Sequence, residues 1–210
     1  MAEGKLPPTE EFDKALAAGA AAFGVRLAEG ARAGLRDYFE LVGRWNARLH
    51  LVAPCAPSEF ATRHVLESLL ALRYLPEGAS FIDVGSGAGL PAVPCLVARA
   101  GLSATLYESS QKKAVFLREA ARALGIEGRT RVVAERFEKG EPPRADALTC
   151  RAIERFEEIL PGLLEWAAGV PVLLLFGGEN LRGRLDGLGL KFEAVRAPGS
   201  ERRFLLVVRR

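Results

Sequence analysis

The stretch Phe81-Ile82-Asp83-Val84-Gly85-Ser86-Gly87-Ala88-Gly89-Leu90-Pro91 constrains this chain more than any other. It opens with a short apolar run, Phe81 to Val84, that reads as a buried parallel strand. Three glycines spaced two apart follow, and then a helix-like run from Val93 to Arg99. Strand, Gly-rich turn and helix together make a site for a nucleotide-type cofactor. The glycines let backbone approach a ligand where a side chain would clash, and the helix N-terminus adds free N–H groups. About 20 residues on, after a second strand from Ala104 to Tyr107, stands Glu108, and a carboxylate at a strand's end can accept both hydroxyls of a ribose.

The spacing narrows the cofactor. A dinucleotide fingerprint, G-x-G-x-x-G, would place its third glycine where Leu90 stands, and Asp83 lies two residues before the first glycine. That combination resembles motif I of S-adenosylmethionine methyltransferases more than a nicotinamide site. S-adenosylmethionine has no pyrophosphate to hold; it needs room over the glycines and an acid for its ribose. A glycine-rich turn in another doubly wound domain is the alternative at this point.

Around this centre the chain falls into two parts. Residues 1–78 read as an N-terminal helical cap and residues 79–210 as a Rossmann-like α/β domain. In the cap, Pro7-Pro8-Thr9 predicts a helix start, with Thr9 as N-cap and Glu10 and Glu11 in the first turn, running to about Phe23. Leu35, Tyr38, Phe39, Val42, Trp45 and Leu49 recur at three- and four-residue steps and give a second helix one apolar face, with Pro54 and Pro57 ending it. Ser58 can cap a third. From Ser80 onward strands are expected at 80–84, 103–108, 129–134, 145–150, 171–176, 190–197 and 203–209, with helices at about 92–100, 111–124, 155–168 and 180–187. Alternation of this kind predicts a parallel sheet with helices on both faces. The last two strands are joined only by Pro198-Gly199-Ser200-Glu201-Arg202, too short for a parallel crossover, so they form an antiparallel hairpin. The expectation is a seven-stranded, mostly parallel class I methyltransferase sheet with an antiparallel C-terminal hairpin.

Composition excludes other classes. Nearly half of the 210 residues are hydrophobic, enough for a full core, yet no run approaches the ~20 apolar residues of a membrane span. Met1 to Glu11 lacks the apolar segment of a signal peptide, so a cytoplasmic chain is expected. Cys55, Cys95 and Cys150 are widely separated and only two histidines are present, so neither a disulfide framework nor a metal site is expected. Residues 79–210 carry 20 basic and 16 acidic side chains against 9 and 10 in residues 1–78, and 23 of the 29 basic residues are Arg, the cation suited to bidentate phosphate contact.

Several separated stretches then resemble one family, the bacterial small-subunit rRNA guanine-N7 methyltransferases (RsmG, also called glucose-inhibited division protein B). Trp45-Asn46 resembles the start of its W-N-x-x-x-N-L-T, and Arg63-His64-Val65-Leu66-Glu67-Ser68-Leu69 its R-H-I-L-D-S-L. Asp83 to Pro91 is similar to D-x-G-S-G-A-G-F-P-G. Glu108-Ser109-Ser110-Gln111-Lys112-Lys113, with Phe116-Leu117, resembles E-S-x-x-K-K-x-x-F-L; Arg136-Phe137-Glu138 resembles R-A-E, and Thr149-Cys150-Arg151-Ala152 resembles S-R-A. The resemblance implies S-adenosylmethionine as cofactor, held by Asp83, Gly85, Gly87, Leu90, Glu108, Phe137, Glu138 and Arg151. It implies 16S rRNA of the small ribosomal subunit as partner, with N7 of a guanine as the methyl acceptor and Asn46 among the residues that meet it. Lys112-Lys113 at the start of the helix after Glu108, with Arg136, Arg63 and His64, is expected to form a phosphate-binding rim, and a monomer is expected. There are departures: His50 replaces an Asn, Val52 a Thr, Glu67 an Asp and Ala92 a Gly, and the Lys-Gly pair expected after the fifth strand is Gly177-Gly178.

Guanine N7 carries a lone pair and no proton, so its methylation needs alignment rather than a general base. No catalytic residue is therefore assigned. Two other readings stay open: a degenerate fold that binds rRNA without chemistry, and a methyltransferase of another substrate.

Overall fold

The computed structural model describes residues 7–151 and 156–210. Among these residues seven strands, numbered in chain order, form one sheet in the order β3-β2-β1-β4-β5-β7-β6. They are β1 (Ser80–Val84), β2 (Ser103–Tyr107), β3 (Thr130–Val133), β4 (Ala147–Arg151), β5 (Val172–Gly177), β6 (Phe192–Arg196) and β7 (Phe204–Arg209), each within two residues of its expected limits. The first five are parallel, and β7 is antiparallel to both neighbours, so the short link after β6 makes the expected hairpin. The strand order reverses between β1 and β4. A crevice opens there at the carboxyl ends of the strands, the place where open α/β sheets bind ligands.

Helices α5 (Ala92–Ala98), α6 (Gln111–Ala123), α7 (Phe156–Trp166) and α8 (Glu179–Gly187) cover the sheet. The start of the expected helix 155–168, like Ala152, falls partly outside the described residues. Successive strand residues face opposite cores, as the period of two requires. Phe81, Leu106, Leu174 and Val207 join the core under α5 and α6, whereas Ile82, Leu148, Leu173 and Val208 join the one under α7 and α8.

The N-terminal helices lie on the α5–α6 side. They are α1 (Pro8–Gly19), α2 (Glu29–Leu49) and a helical run that begins as α3 (Pro57–Glu59), widens to a π turn over Phe60–Leu66, returns as α4 (Glu67–Leu69) and tightens to a 3-10 turn over Leu70–Arg73. Their apolar faces have no core of their own. Phe12, Leu35, Phe60 and Leu66 belong to the same buried cluster as Phe81, Leu96 and Phe116. Trp45 packs edge-on against Phe116 with ring centroids 5.8 Å apart, so its helical spacing does mark core.

Three local expectations are corrected. Thr9 is not the cap of α1: Pro7 holds that position, and the Thr9 hydroxyl lies inside the helix, donating to Glu40 Oε1 of α2. Ser58 does not cap the third helix, whose cap is Ala56; both its N–H and its hydroxyl donate to Glu11 Oε1, a carboxylate from α1. Helix α2 ends before Pro54, at Leu49, because His50 takes a left-handed conformation (φ 48°, ψ 50°). Asn and His adopt that conformation more readily than most non-glycine residues, so the replacement of the expected Asn by His50 keeps the turn.

Candidate cofactor and substrate cleft

The crevice is a cleft of about 1210 Å³, larger than the ~300–1,000 Å³ common for a single small ligand. One half is built at the ends of β1 and β2. Backbone N–H groups of Gly85 and Ser86 both donate to Tyr107 O, at 2.9 and 3.1 Å, which folds the loop tightly onto β2. Gly87 sits at φ 53°, and a Cβ built there would meet nothing nearer than 3.8 Å, so its backbone is open to a ligand. Gly89 is needed for packing instead. A Cβ there would come within 2.5 Å of Val93 Cγ2, so glycine lets α5 close onto the loop.

Glu108 completes this half. Oε2 accepts the Gly87 N–H and Oε1 the Ser110 N–H, each at 2.8 Å. Its carboxylate is thereby fixed in place on the cleft wall, and each oxygen keeps a lone pair for a further donor such as a ribose hydroxyl. Ser110 also caps α6, its Oγ accepting the Lys113 N–H at 3.4 Å. Further along, Phe137 and Glu138 line the wall, with Trp166 edge-on behind Phe137 at 5.2 Å and behind Tyr107 at 5.4 Å. Leu90 also lines the cleft.

Asp83 stands behind the loop rather than on the cleft. It is fully buried; Oδ1 accepts the Thr149 hydroxyl at 2.6 Å, and Oδ2 has no partner among the described residues. Burial pushes its carboxyl up to about 7, against the pull of the Thr149 hydroxyl in the other direction.

The other half lies at the ends of β4 and β5 under the π turn. Arg151 Nη2 donates to Arg63 O at 2.7 Å, and Nη1 to His64 O at 3.3 Å and Ser68 Oγ at 3.2 Å. Its guanidinium also lies 3.5 Å from Glu67 Oε2 and over the Phe176 ring. Glu67 is only 5% exposed, and its Oε1 accepts from Arg203 Nε at 2.6 Å. One buried carboxylate thus joins β4, the helical run and the β6–β7 hairpin. His64 packs at a tilt on Phe60, and its Nδ1 has no partner among the described residues. Burial first, then the charges of Arg151 and Arg63, push its imidazole down to about 4, so it is neutral at physiological pH.

The cleft therefore brings together Gly85, Gly87, Leu90, Glu108, Phe137, Glu138, Arg151, Arg63, His64 and Arg136. It does not bring in Asp83, Asn46 or Lys112; the neighbouring Lys113 faces it instead. The Asn46 side chain is occupied, donating to Val52 O and accepting Val52 N–H at 3.0 and 2.9 Å, and so holds Leu51, Val52 and Ala53 against the cleft. Sequence reasoning gives four polar residues no role, although Glu67 and Thr149 stand within the motifs quoted above. Tyr38 reads in sequence only as part of an apolar face, yet its hydroxyl donates to Ala88 O. Thr149, Glu67 and Arg203 find their partners 66 or more residues away, and no local pattern marks such pairs.

A sheet of this order, with β7 inserted antiparallel between β5 and β6, is the class I methyltransferase fold. A solved ribosomal protein L11 methylase from Lactobacillus delbrueckii subsp. bulgaricus is similar with a TM-score of 0.57 at 15% identity, over 70% of this chain and 79% of that one. The family model described as rRNA small subunit methyltransferase G (GidB) matches residues 31–181. Ribosomal RNA small subunit methyltransferase G of Anaeromyxobacter dehalogenans is 38% identical over 85% of this chain and 84% of its own. Its namesake in Alkalilimnicola ehrlichii is 40% identical over 78% and 74%. The chain belongs to the rRNA small subunit methyltransferase G family, as the separated motifs led us to expect.

Proposed function

We propose that this chain transfers the methyl group of S-adenosylmethionine to N7 of a guanine in 16S rRNA of the small ribosomal subunit. The observation that carries the cofactor is Glu108, a carboxylate held on the cleft wall by the Gly87 and Ser110 N–H groups with capacity for two more donors. It suits the ribose. Gly85, Gly87 and Leu90 suit the methionine end, and Phe137 and Glu138 the adenine. When bound, S-adenosylmethionine supplies an electrophilic methyl on a sulfonium.

The chain's own residues orient and exclude water. The remaining volume of the cleft, beside Phe176, Phe204, His64 and Arg203, suits an extruded base. N7 has no proton to lose, so no residue is asked to act as base, and alignment of N7 with the methyl carries the rate. The purine becomes positive as the methyl arrives, and His64, kept neutral, adds no opposing charge. Arg151 serves chiefly as a brace, with Nη1 and Nη2 bound to Arg63, His64 and Ser68. Asp83 supports the loop from behind. Arg63, Lys113 and Arg136 on the rim suit phosphate, which positions rRNA without reading sequence.

Calorimetric titration with S-adenosylmethionine and its demethylated product tests the first half, and labelled-methyl transfer to small-subunit rRNA lacking the modification tests the second. Binding of both compounds and label mapped to guanine N7 is the expected result. Binding without transfer would turn the reading to an rRNA-docking protein, and no binding to either compound would remove the enzyme reading altogether.

A further inference from the structure

We infer that Tyr38, in the N-terminal helix α2, is a positioning residue for the cofactor: its buried hydroxyl sets the orientation of the glycine loop through the Ala88 carbonyl. This rests on the S-adenosylmethionine reading above. The Tyr38 hydroxyl donates to Ala88 O at 2.8 Å, and the residue is fully buried. The loop's other ties come from its own neighbourhood. Gly85 and Ser86 N–H groups reach Tyr107, the Gly87 N–H reaches Glu108, and the Gly89 N–H returns to Ser86 O at 2.6 Å. Tyr38 ties it from 50 residues away and from a helix outside the sheet's own crossovers.

The geometry of α2 makes this tie specific. Gly34, Tyr38 and Trp45 recur at steps of four and seven, so they share one face of the helix. Gly34 lies against α5, where a Cβ would come 2.8 Å from Val97 Cγ1, and Trp45 lies against Phe116 of α6. Between these two contacts, over about 16 Å of helix, Tyr38 reaches the loop that α5 follows. One helix thus registers the two crossover helices and the loop beside Glu108. Removing the hydroxyl leaves a buried carbonyl without its donor, and the Ala88–Gly89 peptide it orients is separated by one peptide unit from the Ser86–Gly87 peptide, whose N–H holds the Glu108 carboxylate. A shift there reaches the ribose site without touching the rRNA rim.

The experiment compares the full chain with Tyr38→Phe and with Phe12→Leu, a cap-core change that removes no hydrogen bond to the loop. S-adenosylmethionine affinity is read by calorimetry, and KM for cofactor and for rRNA by methyl transfer. For Tyr38→Phe, Kd and KM for S-adenosylmethionine should rise about tenfold, while KM for rRNA stays within about twofold. Phe12→Leu should lower the melting temperature and leave both constants unmoved. Should Tyr38→Phe fail to fold, hydrogen exchange on the unaltered chain decides: cofactor should slow exchange in residues 36–42 of α2 together with residues 85–89, and protection of the loop alone would overturn the inference. Equal cofactor affinity in Tyr38→Phe and the unaltered chain overturns the inference alone, whereas an unaltered chain that binds no S-adenosylmethionine overturns it together with the reading beneath it.

Discussion

At the β1–β2 end of the cleft the wall is made of backbone atoms and a carboxylate, Glu108, that two backbone N–H groups hold still. At the β4–β5 end they are long side chains already bound to one another: Arg151 to Glu67, Glu67 to Arg203, and Arg151 to three acceptors in the helical run. The first end keeps hydrogen-bonding capacity for a ligand, and the second uses its capacity to hold three parts of the chain together. Two charged groups that both sit at strand ends, Glu108 and Arg151, are therefore bonded in different ways, set by what else reaches them.

That contrast can be broken in several ways. The largest effect should come from Glu67→Ala, which leaves the Arg151 guanidinium buried without its carboxylate. A loss of roughly 3 kcal/mol is expected in urea denaturation, and a loss under about 1 kcal/mol would mean the three acceptors alone hold Arg151. Next is Glu108→Ala. Stability should change little, but affinity for S-adenosylmethionine should fall about a hundredfold, on the order of two charge-assisted hydrogen bonds; unchanged calorimetric binding would move the ribose elsewhere.

Asp83→Asn sharpens the comparison from behind the loop. The Asp83 carboxyl is raised to about 7 in the folded chain against about 3.9 unfolded, so the folded state binds the extra proton. Its stabilising contribution is complete below about pH 4 and is lost progressively as pH rises to about 7. The variant should lack that decline. Between pH 5 and pH 8 its stability should fall by about 2 kcal/mol less than that of the unaltered chain, with cofactor affinity within about threefold because Asp83 does not line the cleft. Parallel pH curves for the two proteins would contradict the raised carboxyl. The smallest effects belong to the rim: Arg63→Ala and Arg136→Ala should each weaken rRNA binding a few-fold and lower the salt slope by roughly 0.7–0.9, a result that filter binding at several ionic strengths would reveal.

The same contrast separates what could be read from sequence from what could not. Glycines in a tight loop and an acid at a strand's end answer to local backbone requirements, so they sit in a recognisable order. Strand limits and the final hairpin were legible for the same reason, through alternation and loop length. The Glu67–Arg203 pair spans 136 residues, and the π turn from Phe60 to Leu66 follows an ordinary helical pattern of side chains. Asn46 illustrates the limit well. Its place in a motif was legible, but its amide is occupied by the Val52 backbone, so any effect on rRNA passes through the loop it holds. Lys112 and Lys113 are adjacent in sequence, and only the helical phase set by the Ser110 cap decides which of them faces the cleft.

The shared core beneath α1, α2 and the sheet has a consequence for the chain during synthesis. Phe12, Leu35, Tyr38 and Phe60 leave the ribosome first, but Phe81, Leu96 and Phe116, against which that cluster closes, follow only after dozens more residues. At translation rates of roughly 5–20 residues per second, the nascent helices carry uncovered apolar faces for several seconds. During that interval the growing chain is a client for whatever shields nascent polypeptides, and a slow stretch of message before residue 117 would prolong its exposure.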